Sequence, residues 1–320
     1  HMRYWKGVAV MFRYLTFSLL LAMFPGPLQA QPVFRSSVDL VHFGVTVVDG
    51  DGKLVSGLTA EDFVIKEEGQ EQTVTYFSRG LESDLETMPF HLGVLFDTSG
   101  SMNDDARFAK TAAIKFLRSL DFAVDMTLVD FDTRVRVSRY SQPNFPRLVE
   151  RLRGQEAGGM TALYDALGVY LDGAFTLDGR KVLLLYTDGS DTQSRMRLNE
   201  LMDLVRASDV TVYAIGFQTQ RRVAVRMADR RRLQRIVDLT GGQAYFPLSV
   251  EDLDEIYAEI RDEIAARYSL GYVSTDSTTD GAWRRVTVRL ADSRSDLRDV
   301  RIRSRGGYFA PYIEDERKDR

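Results

Sequence analysis

HLGVLFDTSGS, residues 91–101, decides the fold, because an apolar run stops there abruptly in one carboxylate and two spaced hydroxyls. Leu92, Val94, Leu95 and Phe96 have the composition of a strand buried on both faces. Asp97-Thr98-Ser99-Gly100-Ser101 turns away from it. From Asp104 a helical pattern begins, with Ala106, Ala109, Ala113, Phe116, Leu117 and Leu120 on one face. A loop at the carboxyl end of a buried strand is where open α/β sheets bind ligands. Asp97, Ser99 and Ser101 offer one charged and two neutral oxygens at i, i+2 and i+4, without sulfur or imidazole. Such hard donors suit Mg²⁺, Mn²⁺ or Ca²⁺ rather than zinc.

Outward from this stretch, strand and helix alternate, which predicts a doubly wound, mostly parallel sheet covered on both faces. Strands are expected at 126–131, 135–137, 181–187 and 210–217, and helices at 145–152, through Ala166, at 198–207, 231–239 and 250–266. Thr240-Gly241-Gly242 stops one helix as a glycine C-cap would, and Ser249 with Asp252 caps the start of the last. Two loops besides the first carry oxygen ligands after strands, at Thr161 and Asp188.

The flanks follow a different grammar, of short alternating runs between turns. Val41, Phe43, Val45 and Val47 alternate, and 63–65 and 73–77 read as further strands. The pattern resumes only at 268–273, 283–290, 300–303 and 308–309. Together the flanks approach the strand number of an immunoglobulin-like sandwich, which predicts that they pair, with the α/β region inserted between them. Trp283, Tyr308 and Phe309 then read as sandwich core. No linker separates the last helix from the strand at Tyr268, an unlinked junction through which ligand-driven displacement of that helix could tilt the sandwich.

The first residues resemble an export segment: Arg3, Lys6 and Arg13, an apolar run over 15–24, and a cleavage position after Ala30. The run is short for a membrane span, although a retained anchor starting near Val8 stays open. No membrane insertion of the mature chain is expected. Without residues 1–30 the chain keeps 39 Lys and Arg against 46 Asp and Glu, so bulk attraction to nucleic acid is not indicated. With no cysteine among 320 residues, disulfides, thiol catalysis and Cys-based zinc sites are excluded. The expected organisation is an export segment over 1–30, a first sandwich part over 32–87, the α/β domain over 88–267, a second sandwich part over 268–312, and a charged, disordered tail over 313–320.

DTSGS at 97–101, GGMTALYDAL at 158–167 and LLLYTDGSD at 183–191 resemble a von Willebrand factor A domain with its metal-ion-dependent adhesion site. The resemblance implies that Ser99, Ser101 and Thr161 bind Mg²⁺ and that Asp97 and Asp188 hold it directly or through water. Neutral hydroxyls leave the ion's charge unquenched, so an Asp or Glu of a protein partner would complete its shell. VTVVDGDGKLVSGLTAEDFVIKEEGQEQTVTYF at 45–77 and RSRGGYFAP at 303–311 resemble the exported bacterial VWFA-related proteins first described from acidobacterial genomes. Asp104 and Asp105 have the form of a second, Ca²⁺-type site in integrin beta chains, or are acids favoured by a helix N-terminus.

Arg221, Arg222, Arg226, Arg230, Arg231, Arg232 and Arg235 form a basic run suited to an anion or acidic partner, or to a solvated loop and helix face. Asp191 reads as a solvated loop acid, or as a water-mediated contact to the ion. The competing functional class is a Mg²⁺-dependent phosphoryl-transfer hydrolase. Such chemistry commonly wants a second carboxylate where Ser99 stands, and His91 lies six residues upstream, about 20 Å along an extended strand. A non-binding scaffold is the third class. The sequence therefore points to an exported, metal-dependent adhesion or protein-binding module rather than an enzyme.

Overall fold

The computed structural model describes residues 40–80, 88–118, 120, 122–217, 222–297 and 299–313. The chain divides into residues 1–37 and 38–320, and every described element belongs to the second unit. The export segment 1–30, Arg221 and residues 314–320 of the expected tail lie outside the described residues.

Alternation makes the first strands one-sided. β1 (Leu40–Val48) buries Val41, Phe43, Val45 and Val47, and β2 (Phe63–Glu67) buries Phe63, Ile65 and Glu67. Two short strands follow, β3 (Gln70–Gln72) and β4 (Tyr76–Arg79), in place of the single strand expected at 73–77. The chain changes sheets between them, since β3 pairs with β2 and β4 with a strand from the far end of the sequence.

The unalternating runs form the central strands. β5 (Phe90–Asp97) is buried at every residue and leads into α1 (Ala106–Leu117). Then come β6 (Asp125–Phe131), β7 (Val135–Ser141), α2 (Phe145–Arg153), α3 (Leu163–Ala174), β8 (Arg180–Thr187), α4 (Leu198–Ala207), β9 (Thr211–Gly216), α5 (Val223–Thr240), β10 (Gln243–Tyr245) and α6 (Val250–Ala266). α5 begins at Val223 rather than 231, so most of the arginine run is helical. β10 has only three residues and no apolar run, so no local pattern marks it. Ser249 caps α6 as expected, its hydroxyl accepting from the Asp252 N–H at 3.3 Å.

These strands form one sheet in the order β10-β9-β8-β5-β6-β7, parallel except for β7. One face packs under α1, α2 and α6, with Ala109, Phe116, Leu148, Leu253 and Ile260 in its core. The other packs under α3, α4 and α5, with Leu167, Leu171, Leu201 and Ile236. From β5 the chain moves outward through β6 and β7, then returns to the opposite side for β8, β9 and β10. The reversal falls between β5 and β8, and sheets of this kind bind ligands above the carboxyl ends of the strands at such a point.

The chain returns to the flank with β11 (Tyr268–Val273), β12 (Trp283–Leu290), β13 (Arg301–Arg303) and β14 (Gly307–Phe309). The flanks pair: β11 lies antiparallel between β1 and β4, and β12 lies beside β2. Two four-stranded sheets result, β13-β1-β11-β4 and β14-β12-β2-β3, closed over Phe43, Leu58, Ile65, Tyr268, Tyr272 and Val286. Trp283 packs edge-on against Phe309 at 5.0 Å, but Phe309 is 42% exposed rather than core, because β14 is an edge strand.

Only Arg267 separates α6 from β11, and the junction is held by buried charge. Glu263 is 1% exposed and accepts from Thr46 Oγ1 at 3.0 Å, Tyr213 OH at 2.9 Å and Arg303 Nη2 at 2.6 Å. Arg267 donates to Thr46 Oγ1 and to the carbonyls of Gly241 and Gly44. Arg180 bridges the carbonyls of Gly80 and Ile264. α6 is thus tied directly to β1 and β13.

Candidate functional site

In the ladder between β5 and β8, Phe96 faces Tyr186, so the next residues, Asp97 and Thr187, emerge side by side at the switch point. Thr187 Oγ1 donates to Asp97 Oδ2 at 2.6 Å and the Ser99 N–H donates to Oδ1 at 2.9 Å. One residue on, Asp188 Oδ1 accepts from the N–H and hydroxyl of Ser190 at 2.9 and 2.7 Å. Both carboxylates are 1% exposed. Burial pushes the Asp97 carboxyl up to about 7; the like charge of Asp188 adds to this, while the Ser99 and Thr187 hydrogen bonds hold it back. The principal groups acting on Asp97 include no cation.

Ser99 and Ser101 place their hydroxyl oxygens 3.0 Å apart, Ser99 buried and Ser101 exposed. The second loop is stitched to the first: the Gly100 N–H donates to the Gly159 carbonyl at 3.0 Å, and the Gly158 N–H to the Thr98 carbonyl at 2.8 Å. Gly159 sits at φ 76°, and a Cβ there would come within 2.7 Å of Thr133 Oγ1, so this tight approach requires glycine. The carbonyl of Thr161 accepts from the N–H groups of Thr192 and Gln193 at 2.9 Å, joining the second loop to the third. Thr161, 2% exposed, is thereby held between the other two loops. All three predicted ligand loops are brought together. Asp104 and Asp105 follow on the approach to α1, Asp104 exposed and Asp105 buried.

Several residues that position the site were not singled out in the sequence. Beneath the first two loops, Asp130 is fully buried and paired with Arg136 at 2.5 Å and Arg151 at 2.6 Å. Arg136 also holds Asp132 at 2.9 Å, whose carbonyl accepts from the Ala162 N–H. In the third loop, Arg232 of the basic run donates to the Gly189 carbonyl at 2.6 Å and pairs with Asp229 at 2.7 Å. Asp191 is no free solvated acid: it accepts from the Tyr164 N–H at 3.2 Å and the Ser194 hydroxyl at 2.5 Å, fixing the start of α3. At the other end of β5, His91 is buried, with Nδ1 3.0 Å from Asp125 and Nε2 2.9 Å from the Asp178 carbonyl.

Among the described residues, no three His, Cys, Asp or Glu side chains gather in a metal-holding group. The switch point instead offers two carboxylates, Asp97 and Asp188, with the hydroxyls of Ser99 and Ser101, and the loop that carries Thr161 is bonded to both of the others. This all-oxygen donor set fits Mg²⁺, Mn²⁺ or Ca²⁺, and a divalent cation would offset the charge that burial makes costly at Asp97.

The von Willebrand factor type A domain profile matches residues 91–263. No curated protein matches the chain. Similar solved structures include a von Willebrand factor type A protein from Catenulispora acidiphila, 15% identical, covering 88% of this chain and 76% of that one with a TM-score of 0.47. The PilB minor pilin from Streptococcus sanguinis is 14% identical, with 56% of this chain and 61% of that one covered at 0.44. The pilus adhesin SpaC from Lactobacillus rhamnosus GG is 11% identical, with 78% and 48% covered at 0.48. The chain therefore spans less than two thirds of the pilin and less than half of the adhesin.

Proposed function

Since the chain belongs to the von Willebrand factor type A domain family, matched over more than half its length, we propose that it is an exported, metal-dependent adhesion or protein-binding module. It ligates an Asp or Glu of a protein partner through Mg²⁺, with Mn²⁺ or Ca²⁺ as substitutes. Ser99, Ser101 and Thr161 offer neutral oxygens, and Asp97 and Asp188 hold the ion directly or through water. Asp104 and Asp105 are the candidates for a second, Ca²⁺-type ion. When bound, Mg²⁺ supplies an unquenched positive charge that attracts a carboxylate.

The observation that carries this reading is the pairing of Asp97 and Asp188, both buried and mutually repelling, at the β5–β8 switch point. The hydroxyls around them match the ligand types such an ion prefers. A hydrolase would need a general base near the same loops. His91 is committed to Asp125 and Asp178 at the far end of β5, and this favours binding over catalysis. Among the described helices none is long and apolar enough to cross a membrane. Export rests on the sequence of residues 1–30.

Calorimetric titration of the chain with Mg²⁺, repeated on Asp97→Ala and Ser99→Ala, tests the proposal. Heat of binding is expected from the parent chain and its loss from both variants. Indistinguishable heats from all three would remove the metal from the site.

A further inference from the structure

A groove of about 930 Å³ runs beside the candidate metal loops, between α1 and the end of α2. Arg107, Lys110, Lys115, Arg118 and Arg153 line it, and among the described residues Glu156 is its one acid. This is a concentrated positive patch on a chain whose formal net charge is −4. Its near end opens on the metal loops: Asn103 and Ala157 line it there, two residues after Ser101 and directly before Gly158, whose N–H binds the Thr98 carbonyl.

Some of this charge has a local role. Lys110 donates to the carbonyls of Arg153 and Gln155, Lys115 pairs with Asp254, and Arg153 pairs with Glu150 at 2.6 Å. Arg107 and Arg118 are exposed, and among the described residues neither makes an ion pair. From Ala106 to Arg118 the helix rises about 18 Å at about 1.5 Å per residue, which an extended peptide covers with five or six residues at about 3.3 Å each. Among the described residues no aromatic side chain lines the groove, so its described lining offers none of the stacking platforms that single-stranded nucleic acid uses. Ala106 and Ile114 give it apolar floor between the charges.

We infer that this groove seats an acidic peptide segment of the partner, continuous with the carboxylate that completes the metal site and carrying further Asp or Glu residues toward Arg107 and Arg118. The inference rests on the metal-dependent binding proposed above and specifies the partner as an extended acidic strand rather than a single exposed acid. The groove thereby supplies the electrostatic selection that one carboxylate on one ion cannot.

The probe is a fluorescein-labelled octapeptide of alternating Gly and Glu, with its Gly-Gln counterpart, measured by fluorescence anisotropy on the whole chain in Mg²⁺ and in EDTA. The Glu peptide is expected to bind in Mg²⁺, to weaken as salt is added, and to bind about tenfold more weakly to R107E/R118E. The Gln peptide is expected not to bind. Both substituted positions are exposed, so the variant should keep its melting temperature and its calorimetric Mg²⁺ uptake. Unchanged peptide affinity in R107E/R118E, or no peptide binding by protein that takes up Mg²⁺, overturns the groove assignment alone. Absence of Mg²⁺ uptake overturns the metal reading, and peptide binding in EDTA that still falls in R107E/R118E supports the groove without it. Displacement of the peptide by single-stranded DNA at lower concentration than by unlabelled peptide also overturns the inference.

Discussion

Replacing Glu263 by Ala should expose how the two parts of the unit are held together. Its carboxylate is 1% exposed, receives three hydrogen bonds, and balances Arg303 at 2.6 Å and Arg267 at 3.8 Å. Removing one partner of a buried ion pair costs about 3–5 kcal/mol, because the remaining charge is left desolvated. Here the lower end applies. Arg267 keeps the carbonyls of Gly241 and Gly44, and the side chain of Arg303, 16% exposed, can recover some water. A loss of about 3 kcal/mol corresponds to roughly 6–12 °C in Tm for a domain of this size class. Glu263 also joins α6 and β9 to β1 and β13, so the variant should separate two transitions that coincide in the parent. With residues 1–30 removed, Trp283 is the sole tryptophan and reports on the sandwich, while far-ultraviolet circular dichroism is dominated by the helices of the α/β region. Urea unfolding followed by both signals is the assay. A loss under about 1 kcal/mol, with the two curves still superimposed, would refute the argument from the buried network.

A Cβ on Gly93 would lie 2.2 Å from the Tyr170 ring, so Gly93→Ala is expected to cost about 1–3 kcal/mol and to be partly rescued by Tyr170→Leu; equal urea midpoints for Gly93→Ala and parent would contradict this. Burial raises the Asp132 carboxyl, but the hydrogen bonds and charge of Arg136 outweigh it and hold the group below the usual carboxylate range. A depressed pKa contributes stability that is present above about pH 4 and lost as pH falls through the folded value. Asp132→Asn should therefore be less stable than the parent near neutrality and converge with it in acid, and a gap in urea midpoint that does not shrink on acidification would count against the Arg136 clamp.

Much of the central sheet was legible because its strands are unbroken apolar runs and its helices carry clear stripes. β8 and α4 stand almost where their residues predict, and Gly241 ends α5 at φ 72°. The start of α5 was hidden because Val223, Val225 and Met227 are exposed among arginines, leaving no buried stripe to read there. β3 was missed because Gln70-Glu71-Gln72 is polar and carries no apolar alternation, and of the run Thr73 to Phe77 only Tyr76 and Phe77 are strand, in the other sheet, a change that only tertiary pairing reveals. At the site, the three loops could be read from their oxygen ligands. The framing groups could not: Thr187 looks like the end of a strand until its hydroxyl is seen on Asp97, and Asp130 looks like one acid in an apolar run until Arg136 and Arg151 converge on it. Glu263 meets Thr46 across 217 positions, a relation that no local pattern carries.

That separation also governs the order in which the chain can assemble. β4 pairs Arg79 with Tyr268, about 190 positions apart, and closing so long a loop in an unfolded chain costs about 4–5 kcal/mol of entropy. Once the inserted sheet has formed, Arg180 already holds Gly80 beside Ile264, and the same pairing closes a connection of a few residues. The sandwich is therefore expected to form late, templated by the finished A-type sheet. β2 and β3 can pair locally, but β1 and β4, made early, must wait for β11 between them until the last fifth of the chain arrives. During that interval the first sandwich strands are the segment most exposed to mispairing.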